Sequence, residues 1–65
     1  MNKSLNAWME EMEEKVEGKV FISCVMDKVP GHDNTKRYQV YNEEGTYNKT
    51  FDITLDEDKN IISIE

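Results

Sequence analysis

Apolar residues recur at helical spacing near the N-terminus and at strand spacing after it. Leu5, Trp8, Met12 and Val16 stand three, four and four residues apart, which draws one stripe along a helix over residues 5–17. Ser4 is placed to cap it, without a capping box, because Ala7 stands where Glu or Gln would reach back. Gly18 is the expected stop. From Lys19 to Val29 the period changes to two. Val20, Ile22, Cys24 and Met26 share an apolar face, expected to meet the helix, while Phe21, Ser23, Val25 and Asp27 share a mixed one. Pro30-Gly31 ends this strand, and His32 to Thr35 read as a polar loop. A second strand over 36–42 alternates Tyr38 and Val40 with Arg37, Gln39 and Tyr41. Glu43-Glu44-Gly45 is a turn, and a third strand over 46–55 puts Tyr47, Phe51, Ile53 and Leu55 on one side. A polar turn over 56–60 leads to a short strand over 61–64. Short connections favour antiparallel neighbours. The predicted fold is α+β: a single domain with one N-terminal helix packed on an antiparallel sheet of three to four strands.

Composition sharpens this picture. A chain of 65 residues hides only about 60% of its unfolded surface, so its stability is thin. One Cys excludes an internal disulfide, and the apolar run around Cys24 predicts a buried, inert thiol. The first residues carry no apolar signal segment and no stretch is long enough to span a bilayer, so the expected compartment is the cytoplasm, with no membrane partner. Asn48-Lys49-Thr50 matches a glycosylation sequon, which carries no weight without secretion.

Candidate chemistry is sparse. Asp56, Asp58 and Asn60 occupy positions 1, 3 and 5 of a calcium-loop pattern, but Ile61 stands where Gly is required. An Asp- and Asn-rich hairpin turn accounts for the same residues. His32 beside Asp33 offers a base and an orienter, yet sequence neighbours seldom face each other and no activated nucleophile accompanies them. One His and one Cys do not fill a structural zinc site. No cofactor, metal or catalytic residue is expected, and the chain reads as a non-enzyme. Direct nucleic-acid binding is disfavoured, because Lys36-Arg37 is the sole adjacent basic pair.

The element order, with Tyr38-Gln39-Val40 in one strand and Gly45 in the turn after it, loosely resembles the PepSY-like modules over roughly residues 5–64. The resemblance implies a fold and carries over no functional residue. That family is usually extracytoplasmic, whereas this chain shows no export signal.

The functional expectation rests on charge. There are 14 acidic against 8 basic residues, a net charge of -6. Glu10, Glu11, Glu13, Glu14 and Glu17 crowd the polar surface of the helix, and Asp27 follows. A solvated face that maintains solubility explains them plainly. The functional alternative is a docking face for a basic protein partner, steered by the field. Phe21, Val25 and Tyr41 on the mixed sheet face offer a second contact surface. The leading expectation is thus a small protein-binding module, an inhibitor or adaptor of the kind common among phage and mobile-element products. A homodimer across the mixed face or an edge strand is compatible with it. The alternatives are a mimic of DNA that occupies a nucleic-acid-binding protein, drawing on Glu43, Glu44, Asp52, Asp56, Glu57 and Asp58, and a PepSY-like structural or regulatory module.

Overall fold

The structure, a computed structural model, describes residues 3–65. Helix α1 (Leu5–Val16) is followed by strands β1 (Val20–Met26), β2 (Thr35–Asn42), β3 (Asn48–Leu55) and β4 (Ile61–Ile64). The strands form one antiparallel meander in the order β1-β2-β3-β4. This is the α+β arrangement that the hydrophobic pattern predicts.

The Ser4 hydroxyl caps α1 by accepting from the Ala7 N–H at 3.2 Å. The left-handed residue that ends the helix is Glu17 (φ 56°, ψ 45°) rather than Gly18. The Gly18 N–H donates to the Glu13 carbonyl at 3.1 Å. A side chain in this conformation costs about 1–2 kcal/mol.

The helix is tied at both ends. The Lys3 carbonyl accepts from the Ile61 N–H at 2.7 Å, at the start of β4. Glu13 Oε2 accepts from the Val20 N–H at 3.2 Å, at the start of β1. In a four-stranded meander those two starts lie on opposite edges and at opposite ends of the sheet. The helix therefore crosses the sheet diagonally. The best-buried aliphatic residues follow that diagonal, one per strand: Val20, Val40, Ile53 and Ile61. Trp8 and Met12 close over them, and the Trp8 ring meets Phe51 edge-on with centroids 5.2 Å apart.

A diagonal cover leaves two corners of the inner face open. One holds Cys24, which is exposed; the expected buried thiol is corrected by the path of the helix. The other holds Lys49 and Ile64 beside half-buried Tyr47 and Phe51.

Two irregularities also redistribute side chains. In β1 the register moves from Cys24↔Tyr38 to Met26↔Arg37, so Val25 is an extra residue and Met26 lies opposite a residue of the outer face. The expectation that Met26 shares the helix-facing side with Val20 is overturned by this bulge. In β4 the pairs Thr54↔Ser63 and Leu55↔Ile61 leave Ile62 as the extra residue. That insertion lets both Ile61 and Ile64 pair with inner-face residues of β3. Val29, expected at the end of the first strand, instead lies in the β1–β2 loop, where its N–H donates to the Thr35 carbonyl at 2.9 Å. The loop folds back on the outer face and buries Val29 and Thr35.

Candidate protein-binding surfaces

The structure divides the predicted contact residues between two opposite faces and assigns different work to neighbouring carboxylates. Glu10, Glu14 and Glu17 are exposed, on the side of α1 turned away from Trp8 and Met12. Glu10 and Glu14 succeed one another at i, i+4 along the helix, and Glu17 follows at its left-handed C-cap. Glu11 and Glu13 are engaged. Glu11 pairs with Lys3, and Glu13 is half-buried against the first N–H of β1. Among the described residues Glu10, Glu14 and Glu17 form no ion pair.

Phe21, Val25 and Tyr41 belong to the other side of the molecule. Phe21 pairs with Tyr41 across β1 and β2, their ring centroids 5.7 Å apart. Phe21 is 40% exposed and Val25 53%. Because α1 covers the opposite face of the sheet, a single flat partner does not touch both this pair and the acidic crest.

The rest of the outer face is a ladder of satisfied polar pairs. The Thr35 and Thr54 hydroxyls share a hydrogen bond of 2.7 Å. Arg37 donates through Nε and Nη2 to the two oxygens of Asp52 at 2.7 and 3.1 Å. Gln39 Nε2 donates to Asn48 Oδ1 at 2.9 Å. The Arg37 hydrogen bonds hold the Asp52 carboxyl below the ordinary carboxylate range, with a smaller contribution from His32. Lys36 does the same for Asp27, to which its Nζ donates at 2.7 Å. Burial pushes the Tyr38 and Tyr47 phenols up.

The remaining sequence candidates find structural work. Asp56 Oδ1 accepts from the N–H groups of Asp58 and Asn60, each at 2.9 Å, which is an Asx-type turn between β3 and β4. Lys59 completes it in a left-handed conformation, φ 68°. His32 is exposed and shares a small cleft with Asp52 and Thr54. Among the described residues no group of three or more His, Cys, Asp or Glu is arranged to hold a metal ion. Among them, too, no helix is long and apolar enough to cross a membrane.

Sequence reasoning missed a groove on the open inner corner, floored by Trp8, Phe51, Tyr47 and Ile64 and rimmed by Lys15 and Lys49. Its signal was present in part: Lys15 is the one basic residue in the last helical turn, and Lys49 interrupts the apolar side of β3.

No family model, curated protein or solved structure matches this chain. The likeness to PepSY-like modules therefore rests on the strand signals alone.

Proposed function

We propose that this protein is a non-catalytic binding module, working in the cytosol, whose helix crest of Glu10, Glu14 and Glu17 engages a basic surface on a protein partner. One observation carries the reading: the carboxylates of α1 run against the helix's own preference, which only Lys15 in the last turn follows. The first turn holds no acidic residue, whereas Glu14 and Glu17 stand at the C-terminal end. The peptide dipoles make that end negative, and a carboxylate there costs rather than gains about 0.3–1 kcal/mol. Like charges spaced i, i+4 cost about 0.2–0.5 kcal/mol more per pair. A domain this small has little stability to give up. Solubility does not require this placement, because Glu43, Glu44, Glu57 and Asp58 already display charge on exposed turns. Carboxylates kept at a cost to the fold make sense through what they attract outside it.

The test compares the parent protein with a Glu10→Gln/Glu14→Gln/Glu17→Gln variant as baits in lysate of the native cell. The expected result is a partner with a basic contact surface, held by the parent, released by salt and lost from the variant. Equal recovery of the same partners by both baits, or recovery insensitive to salt, sinks the reading.

The Phe21–Tyr41 pair favours a second use of the opposite face, as the contact between two copies of this chain. Sedimentation analysis of the parent and of Phe21→Ser decides it: a dimer is expected for the parent and a monomer for the variant, and a monomeric parent at high concentration rejects it.

A further inference from the structure

The groove at the open inner corner goes beyond the acidic crest, because its charge is opposite and its walls are apolar. We infer that it is a docking site for an extended peptide segment that carries an apolar side chain next to an acidic one. Three observations meet there. The first is the floor. Trp8 and Phe51 meet edge-on, and Tyr47 and Ile64 extend the apolar surface across an opening of about 470 Å³. That volume suits one or two inserted side chains.

The second observation is charge. In a chain with 14 acidic residues, three other surface clefts each include at least one Asp or Glu. This groove has none, and Lys15 and Lys49 stand on its two walls. Lys49 Nζ lies 5.8 Å from the Tyr47 ring centroid, which holds that cation over the aromatic wall. An anionic group is the complement of such a rim.

The third is the backbone beside it. Strand β3 begins at Asn48, but its pairing with the β4 side reaches only Asp52, which exchanges both backbone hydrogen bonds with Glu65 at 3.1 and 2.9 Å. In an antiparallel strand, backbone groups two residues apart point to the same edge. The N–H and C=O of Thr50 and Asn48 therefore point to the same edge as those of Asp52. Among the described residues no strand lies beside them there. An added strand that pairs with Asn48–Thr50 sends alternate side chains to the inner face, where Lys49 and Phe51 point. The ladder step thus supplies affinity and the groove supplies selection. A free amphiphile would fit the floor and the lysines but would leave the ladder step unused.

The probe is the peptide acetyl-Thr-Leu-Thr-Glu-Thr-amide. Trp8, the one tryptophan of the chain, reports occupancy of the groove by its fluorescence. The expected result is saturable binding that weakens at least about five-fold when Lys replaces Glu in the peptide, or when Lys15→Ala and Lys49→Ala are combined. Binding is also lost when the peptide backbone is N-methylated. In the protein, Thr50→Pro removes an N–H that faces the open edge. It is expected to keep the helical and strand spectrum while abolishing binding. The N-methylated peptide makes the same test without touching the fold. No saturable response, equal binding of the Glu and Lys peptides, or unchanged binding after N-methylation overturns the proposal. So does binding of octanoate with the same lysine dependence when the peptide shows none, because the occupant is then a free amphiphilic carboxylate.

Discussion

The acidic crest of α1 and the outer face of the sheet are both charged and both wet, but they treat charge in opposite ways. On the outer face Asp52 meets Arg37 across two strands, and just past the end of β1 Asp27 meets Lys36. Asp52 lies opposite a cation whose position the strand register fixes. On the helix, Glu10, Glu14 and Glu17 form no ion pair among the described residues, and Glu14 and Glu17 stand close to the end where the backbone is already negative. The sheet uses charge to define pairing. The helix carries charge that its own structure opposes. The difference separates carboxylates that the fold pairs with a cation from carboxylates that it leaves without one among the described residues.

Four substitutions probe that separation, beginning with the core that holds both regions together. Ile53 is fully buried at the crossing of helix and sheet. Replacing it with Ala is expected to cost about 3–4 kcal/mol, a large share of what a domain of this length has at roughly 0.05–0.15 kcal/mol per residue. A urea melt with a midpoint near that of the parent would show that the layers are held elsewhere. Next comes the outer face. Thr35→Val removes one partner of the buried Thr35–Thr54 hydrogen bond and is expected to cost about 1 kcal/mol by the same measurement. A neutral result would mean that the polar ladder decorates the sheet rather than supports it.

The crest's own terminal residue should respond in the opposite direction. Glu17→Gly relieves the left-handed backbone and removes one carboxylate, for an expected gain of up to about 1 kcal/mol in thermal unfolding. A loss would contradict the geometry of the helix end. The smallest effect is in acid. The folded-state values of Asp27 and Asp52 are depressed below 3.8. Their contribution is present above that value and fades as the pH falls through the lowered ones. Stability measured from pH 6 downward is expected to drop below about pH 4, and Asp52→Asn to lessen the drop. Because Asp27 is exposed and Asp52 only half-buried, solvent screening keeps the effect small.

Much of the fold was legible because its signals are periodic. Leu5, Trp8, Met12 and Val16 mark the helix stripe, and the Tyr38/Val40 and Phe51/Ile53 alternations place β2 and β3 on the right faces. What was hidden is aperiodic. An extra residue at Val25 or Ile62 leaves no mark in composition, yet it moves Met26 to the other face and brings Ile61 and Ile64 to the same one. The exposure of Cys24 follows from the diagonal path of α1, which two backbone ties set, Lys3 with Ile61 and Glu13 with Val20. The second of these ties sets half-buried Glu13 apart from Glu10, Glu11, Glu14 and Glu17, which face water. The groove escaped notice for a related reason: Trp8, Lys15, Lys49 and Ile64 come from three elements, and no sequence spacing joins them.

The central claim is that the crest is maintained against the interest of the fold, and thermal unfolding of Glu10→Gln/Glu14→Gln/Glu17→Gln at low ionic strength tests it most directly. The account predicts a higher melting temperature than that of the parent, with the gap closing as salt is added. A lower melting temperature would show that these carboxylates stabilise the domain, and the case for an outward role would fall with it.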